Sequence, residues 1–384
     1  MISTPLSAAL LRGADHTEVT PRGLRPHRIP GWVGAQFPDA QLMTKEAHPS
    51  GVRVALATAA QTVELVTHPT RQSYRGIDRP RGAIDLVVDR EHVASDVLTG
   101  GDALETDLQT GRTALVESAP HTTRFAGLPA GDKLVELWLP HNEAVELLDL
   151  RTDAPIAPAP ATGRRWLHHG SSISQGSNAT SPARTWPARA ARLGGVDLRN
   201  LGVGGSSLVD PFMARVMRDT PADLISVKLG INVVNADAMR LRAFVPAVHG
   251  FLDTIRDGHP RTPLLLVSPT HCALQEQTPG PITFDLERLA AGEVRFAVAD
   301  PTATADQGRL TLAVIREVLA TIVEDRRDPH LHHLDGTALF GSADEAEHPL
   351  PDALHPGTVA HDLMGTRFAE HAFSAEGPFA DPVR

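Results

Sequence analysis

The sequence predicts an α/β protein in two parts, an all-β sandwich of the jelly-roll type followed by a three-layer α/β/α domain with a mostly parallel sheet. A chain of 384 residues is long for a single core, so we expect two domains, residues 1–155 and 156–384. Before about residue 155, apolar and polar residues alternate with the period of half-buried strands. After it, apolar strands alternate with helical segments, which is typical of a parallel sheet covered by helices.

The first domain is predicted from repeated short strands, with no long amphipathic helix before residue 150. Turn-forming runs such as Gly100-Gly101 and Pro129–Gly131 separate these strands. Short strands divided by turns are typical of a sandwich or jelly roll. The alternating positions are Val52, Val54, Leu56, Val63, Leu65, Ile84, Leu86, Val88, Leu134, Glu136 and Trp138.

A proline-rich run, residues 153–163, follows the predicted sandwich. Pro155, Pro158 and Pro160 remove backbone donors and stiffen the chain, so the run is predicted to be a semi-rigid linker.

The second domain is predicted from the alternation of strands and helices. Residues 270–308 fit this pattern poorly, being rich in Pro, Gly, Thr and Gln, and are either a lid or rim of a substrate pocket or an ordinary surface excursion. The predicted strands are 166–169, 196–201, 224–229 and 264–267, and the predicted helices are 182–193, 207–218, 236–257, 309–325 and 358–373.

Composition and charge exclude several classes of function. The formal net charge of −10 and a pI near 6.0 disfavour a nucleic-acid partner, which would need a basic face. No run approaches about 18 apolar residues, so no membrane span is expected. The N-terminus lacks the basic and apolar regions of a signal peptide, and Cys272 is the single cysteine, so we expect a cytoplasmic protein without disulfides.

No metal site is predicted. The pairs His168-His169 and His332-His333 are adjacent residues, and neighbours on a strand point to opposite faces, so neither pair readily chelates one ion. Cys272 has no paired motif and is interpreted as a small buried or loop residue.

A candidate nucleophile lies in the run Gly170–Gly176, directly after a predicted strand. Ser172 stands at a predicted strand-to-helix turn, where glycines allow sharp bends. Its hydroxyl becomes a nucleophile when a neighbouring base takes the proton. Because Gly-Ser turns are common, an ordinary loop is the alternative interpretation of this run alone.

A candidate base lies near the C-terminus, in the run Asp352–His355 before a predicted helix. The three-residue offset lets the Asp352 carboxylate meet Nδ1 of His355 and leaves Nε2 free to face Ser172. The alternative is a solvated aspartate beside an incidental histidine, one of 19 in the chain.

Two further residues follow predicted strands and carry possible oxyanion donors. The backbone N–H of Gly205, in the run Asn200–Gly205, and the side-chain amide of Asn232 suit this purpose. The alternatives are a glycine-rich turn before a helix for Gly205 and a helix cap for Asn232.

The order of these four segments resembles the SGNH (GDSL-type) hydrolase superfamily, over about residues 164–375. The resemblance implies that Ser172 is the nucleophile, His355 the general base and Asp352 its orienting partner. It also implies that the Ser172 N–H, Gly205 and Asn232 form the oxyanion hole. Ser171 and Val233 stand where aspartates are found in the best-known members, but neither aspartate belongs to the triad.

A sandwich ahead of a Gly-Ser-Ser version of this block resembles a two-domain subgroup that includes a salicylyl-transferring acyltransferase of tetracycline-type antibiotic biosynthesis. The resemblance implies an O-acyltransferase without a bound cofactor, which moves an acyl group from a thioester such as a coenzyme A ester to a small-molecule alcohol. An esterase or deacetylase that uses water as acceptor is the alternative, with the sandwich as a carbohydrate-binding module. The third interpretation is a catalytically inactive binding protein. The presence of an intact Ser172, Asp352 and His355 argues against it. The sequence does not predict an oligomeric state.

Overall fold

The computed structural model describes residues 1–161 and 163–380. Thr162 of the predicted linker and the last four residues of the predicted second domain lie outside the described residues. The chain divides into two compact units, and the first of them extends beyond residue 155. The first unit comprises Met1–Gly163, Thr180–Arg184 and Asp197–Asn200, and the second comprises Arg164–Ala179, Thr185–Val196 and Leu201–Arg384.

The first unit is built from two sheets, which have eight and six strands. The eight-stranded sheet has the order β10-β9-β6-β13-β4-β3, with β1 on β13 and β11 on β6. The six-stranded sheet has the order β14-β5-β12-β7-β8, with β2 on β5. The strands are β1 (Ile2–Thr4), β2 (Leu11–Arg12), β3 (His16–Val19), β4 (Leu24–His27), β5 (Arg53–Thr58), β6 (Thr62–Tyr74), β7 (Ala83–Val88), β8 (Glu91–Val97), β9 (Asp102–Thr106), β10 (Thr113–Val116), β11 (His121–Ala126), β12 (Lys133–Trp138), β13 (Ala144–Thr152) and β14 (Ile156–Pro158), and two short helices are α1 (Trp32–Gln36) and α2 (Ala40–Glu46).

Both sheets contribute side chains to one apolar core, which makes this unit a β-sandwich. Val54 and Leu56 of β5 meet Val63 and Leu65 of β6 there, all fully buried, as their alternation predicts. The predicted all-β class of this part of the chain is therefore confirmed.

The predicted register of β12 is wrong. Its core-facing residues are Val135 and Leu137, not Leu134, Glu136 and Trp138. Glu136 instead hydrogen-bonds Arg53 at 2.8 Å, and the Arg53 guanidinium lies over the Trp138 ring, 4.9 Å from its centroid. Because this strand buries apolar residues on both faces, alternation alone does not identify the core face.

The proline-rich run differs from the predicted linker. Ile156–Pro158 forms β14, which pairs antiparallel with β5 at the edge of the six-stranded sheet. An edge strand tolerates proline because the missing N–H can face away from the partner strand.

The second unit contains a five-stranded sheet with the order β16-β15-β17-β18-β21. The pairs β15–β17, β17–β18 and β18–β21 are parallel, so the predicted α/β class is confirmed. The strands are β15 (Arg165–Gly170), β16 (Asp197–Gly202), β17 (Leu224–Lys228), β18 (Leu264–Val267), a two-stranded ribbon of β19 (Ile282–Phe284) and β20 (Phe296–Val298), and β21 (Leu331–Leu334). The helices are α3 (Ser172–Gln175), α4 (Trp186–Gly194), α5 (Pro211–Asp219), α6 (Ile231–Asn235), α7 (Leu241–Gly258), α8 (Leu286–Ala290), α9 (Leu312–Arg326), α10 (Gly336–Leu339), α11 (Ser342–Glu347) and α12 (Thr358–Ala372).

Several of these helices begin later than predicted. Prolines stand in the first turns of α4 and α5, and the residues that precede these helices, Thr185 and Asp210, adopt extended backbone angles. Proline is well accommodated in the first turn of a helix, and since the residue before a proline disfavours the helical region, α5 starts at Pro211. The predicted helix 236–257 is α7, and a separate short helix, α6, precedes it. None of the helices in the described parts of the chain has the length and apolar character needed to cross a membrane.

Candidate active site

Ser172 is the first residue of α3 and is separated from the end of β15 by Ser171 alone. The Ser171 hydroxyl caps this short helix by accepting a hydrogen bond from the Ile173 N–H at 3.3 Å. Only a glycine fits at position 170, because a Cβ there would come within 2.3 Å of the Ser174 hydroxyl. The glycine-bounded turn predicted from the sequence therefore does position Ser172 at the carboxyl end of a parallel strand.

The structure brings Ser172, His355 and Asp352 together. Nε2 of His355 lies 2.8 Å from the Ser172 Oγ, and Nδ1 lies 2.7 Å from Oδ2 of Asp352. The side chains of His355 and Asp352 are 12% and 13% exposed, so both are largely shielded from solvent. The three residues have the spacing of a nucleophile, a base and an orienting carboxylate.

Hydrogen bonds fix the charge of Asp352 and the tautomer of His355. Burial alone would raise the pKa of Asp352, but the hydrogen bond and charge of His355 and the backbone N–H groups of Leu354 and His355 outweigh it, so this pKa is lowered. Those backbone N–H groups donate to Oδ1 at 3.1 and 2.7 Å. The ionised carboxylate accepts the Nδ1 proton, which leaves Nε2 to accept the proton of the Ser172 hydroxyl.

Asn232, at the start of α6, is held by the loop that follows β16. Its Oδ1 accepts a hydrogen bond from the Ser207 N–H at 3.2 Å, so its NH₂ group is the end that can donate elsewhere. The Ser207 hydroxyl lies 3.2 Å from Nε2 of His169, whose Nδ1 donates to the Leu201 carbonyl at 2.8 Å. Since a carbonyl only accepts, Nε2 of His169 is the acceptor for the Ser207 hydroxyl.

Gly205 lies in the same loop, in an exposed position with a φ of 72° that favours glycine. The preceding residue, Gly204, donates its N–H to Oε1 of Gln175 in α3 at 2.8 Å. The Val203 N–H donates to the Gly170 carbonyl at 2.9 Å. These two bonds tie the loop that carries Gly205 to the turn that carries Ser172.

Three residues that support the site, Gln175, Ser207 and His169, were not predicted from the sequence. His169 was considered only as a metal ligand, and the other two are ordinary polar residues near glycines. Their single signal is position, since all three lie within a few residues of the carboxyl end of β15 or β16.

The other candidate groups take structural positions. Within the described residues, no group of three or more His, Cys, Asp or Glu side chains could hold a metal ion. His168 is buried between the hydroxyls of Ser226 and Ser174, at 2.7 and 2.8 Å. Cys272 is buried, and burial, followed by the charge of Glu345, raises its pKa to about 12, so the thiol remains protonated.

The segment 270–308 borders the site. It contains the ribbon β19–β20, in which the Phe296 N–H donates to the Asp352 carbonyl at 2.9 Å. The Phe296 ring meets the His355 ring edge to face, with centroids 5.7 Å apart. The sequence left open whether this segment is a lid or rim of a substrate pocket or an ordinary surface excursion. These contacts favour a rim of the pocket.

Two families match different parts of the chain. The GDSL-like lipase/acylhydrolase family matches residues 169–363, and the family described as the SsfX3 N-terminal domain matches residues 10–147. Among curated proteins, none matches the chain significantly.

Three solved structures illustrate the similarity. The salicylyl-acyltransferase SsfX3 from a tetracycline biosynthetic pathway is 27% identical, with 95% of each chain covered and a TM-score of 0.78. A GDSL-like lipase from Bacteroides ovatus is 18% identical, with 94% of this chain and 93% of that chain covered and a TM-score of 0.66. A family two carbohydrate esterase from Clostridium thermocellum is 14% identical, with 94% and 97% covered and a TM-score of 0.58. The last two share the fold.

Proposed function

The chain belongs to the GDSL-like lipase/acylhydrolase family, and from this premise we propose that it is a serine acyltransferase that moves an acyl group from a thioester to an alcohol. One observation carries the proposal: Ser172, His355 and Asp352 are linked by hydrogen bonds of 2.8 and 2.7 Å. The similarity to a salicylyl-acyltransferase over 95% of both chains supports transfer, with an aryl-acyl group as the cargo.

In the first half-reaction, the Ser172 hydroxyl gives its proton to Nε2 of His355 as its oxygen attacks the thioester carbonyl. The imidazolium is stabilised by the ionised Asp352, which holds the Nδ1 proton. When the tetrahedral intermediate collapses, the carbon–sulfur bond breaks and the thiolate takes the proton from His355. Ser172 then carries the acyl group as an ester.

The negatively charged oxygen of the tetrahedral intermediate must be stabilised by hydrogen-bond donors. We assign the Ser172 N–H, the Gly205 N–H and the Asn232 amide to this role. The Asn232 amide is held by the Ser207 N–H, and the bond from Gly204 to Gln175 ties the loop that carries Gly205 to α3, which begins at Ser172. Donors held in place before the reaction cost no reorganisation when the charge develops.

In the second half-reaction, an alcohol gives its proton to Nε2 of His355 and attacks the acyl-Ser172 ester. The collapse returns this proton to Ser172 and releases the new ester. No cofactor is required, and a coenzyme A ester of the cytoplasmic pool is the donor that we expect. We assign the alcohol to a small natural product, in line with a role in antibiotic biosynthesis.

Hydrolysis is the second candidate, favoured by the description of the matching family as lipases and acylhydrolases. The two functions share the acyl-enzyme and differ only in whether water or an alcohol attacks it. The choice depends on how well each acceptor reaches Ser172.

The test is to trap the acyl-enzyme by mass spectrometry with salicylyl and acetyl thioesters and then to add water or alcohols. We expect labelling that is lost in Ser172→Ala, and an alcohol that outcompetes water. Labelling that persists in Ser172→Ala would remove the nucleophile assignment. If every alcohol loses to water, the protein is a hydrolase.

A further inference from the structure

We infer that the two phenylalanines of the β19–β20 ribbon, Phe284 and Phe296, bind the aromatic ring of the acyl group while it is attached to Ser172. The inference rests on the proposed function and adds the residues that select an aryl-acyl group.

The ribbon places the two rings in a row that starts at the base. Phe284 and Phe296 are directly opposite each other across the antiparallel pair, and their rings stack with centroids 5.3 Å apart and planes 25° apart. Phe296 then meets the ring of His355 edge to face, with centroids 5.7 Å apart. Both offset stacking and edge-to-face contact are favourable geometries for aromatic rings.

The ribbon is held in position by its backbone. The Phe296 N–H donates to the carbonyl of Asp352, so β20 is tied to the loop that carries the base. At the same end of the ribbon, the Asp285 N–H donates to the Arg295 carbonyl at 2.8 Å, which extends the pairing by one residue beyond Phe284 and Phe296. The aromatic ring of an acyl group attached near His355 would therefore meet two phenylalanines whose backbone is already fixed.

The outer ring is available for binding. Phe284, the ring of the row that is farther from His355, is a large apolar side chain that remains 36% exposed. An acyl group on the Ser172 Oγ lies next to the His355 imidazole, since that oxygen and Nε2 are 2.8 Å apart. A flat ring that extends from it along the ribbon would bury apolar surface and stack, whereas an acetyl group is too short to do so.

The test compares acylation of the full-length protein by benzoyl and acetyl coenzyme A, measured as the rate of Ser172 labelling in Phe284→Ala, Phe284→Leu and Phe284→Trp. Phe296 is left unchanged because it touches the base. We expect Phe284→Ala to slow benzoylation about tenfold, equal to about 1.4 kcal/mol. Acetylation should be unchanged, which also shows that the fold and the nucleophile are intact. Phe284→Trp should retain fast benzoylation and Phe284→Leu should lose part of it.

Leu286→Ala is the matched control, since this side chain is 73% exposed and outside the stacked pair, and it should change neither rate. Unchanged benzoylation in Phe284→Ala, an equal fall for both donors, or a defect seen only when the alcohol is added would each overturn the inference. Failure of the proposed function looks different, because the unmodified protein would then form no acyl-enzyme from either donor, and both proposals would fall.

Discussion

Two buried arrangements, one in each unit of this protein, stabilise polar groups in different ways. In the sandwich, the Glu143 carboxylate is paired with a charge: it receives two bonds from Arg81, at 2.8 and 3.0 Å, and a third from the Gly82 N–H at 2.7 Å. In the second unit, the imidazoles of His169 and His361 instead bond backbone carbonyls and other neutral groups. Burial lowers the pKa of His361 to about 4, so it carries no charge near neutral pH.

The two arrangements differ in how they act on neighbouring groups. A bidentate ion pair fixes two segments of the chain relative to each other, but it does not set the direction in which a proton can be transferred. A neutral imidazole is a donor on one side and an acceptor on the other, so it fixes the orientation of its neighbours. His169 does this for Ser207, and His355 does it for Ser172. The predictions below test this contrast.

The largest effect is expected at Asp352. Asp352→Asn removes the negative charge that fixes the His355 tautomer, and the rate of Ser172 acylation should fall by about 10⁴-fold. The matched control is Asp102→Asn, a buried carboxylate of the sandwich that pairs with Arg22 at 2.9 Å. Acylation should be unaffected by that control, and an equal loss from both substitutions would contradict the contrast.

Asn232→Ala comes next. If its amide holds the oxyanion, turnover should fall by about 10²–10³-fold, the usual cost of one donor. Asn235→Ala, at the other end of the same short helix, is the control and should retain its rate. Turnover near that of the unmodified protein in Asn232→Ala would remove this residue from the mechanism.

A smaller, pH-dependent effect is expected at His361. Its Nδ1 accepts from the Trp186 N–H at 3.3 Å and its Nε2 donates to the Ser177 carbonyl at 3.0 Å, so protonation breaks the first bond. Since its pKa is about 4 in the fold and about 6.5 in the unfolded chain, the unfolded state binds more protons between these values. The free energy of unfolding is therefore highest above pH 6.5 and falls towards pH 4, by up to about 3 kcal/mol from this group.

Urea unfolding at neutral and mildly acidic pH measures this loss. In His361→Gln, whose amide supplies a donor and an acceptor without titrating, the decline in acid should be shallower. Identical pH dependence in both proteins would show that His361 is not responsible.

The smallest effect is expected in the sandwich. Arg81→Lys keeps the charge but cannot make both bonds to Glu143, and it should lower the free energy of unfolding by about 1 kcal/mol. Thermal unfolding measures the change, with Arg124→Lys, which is 58% exposed, as the control. Stability equal to that of the unmodified protein would show that the second bond contributes nothing.

Much of this could be predicted from the sequence, for local reasons. The run Leu264–Val267 is fully apolar and is a buried strand over the predicted residues, because a continuous apolar run suits a parallel sheet. The spacing of Asp352 and His355 was sufficient to predict their contact, since one turn spans it. Their roles in catalysis, like those of Gly205 and Asn232, stay predictions until the variants are measured.

Other features depend on contacts between distant segments and had no local signal. β21 was not predicted, because its core, His332-His333, is polar and becomes a strand only beside β18. The core face of β12 was predicted wrongly because Trp138 is buried against Arg53 and not in the apolar core of the sandwich. Asn232 is supported by Ser207 and His169, and the three residues lie near the ends of three different strands. The periodicity of the sequence carries no information on contacts between such distant segments.

The edge strand β14 has a consequence for handling this protein. β14 covers one side of β5, and the Ala159 N–H adds a bond to the Ala55 carbonyl at 3.0 Å. A fragment cut at residue 155 would lose this cover and leave residues 56–58 of β5 as an open edge that can pair with another copy and aggregate. The prolines of the run resist such pairing, so the solubility of any sandwich fragment should depend on keeping residues 156–160.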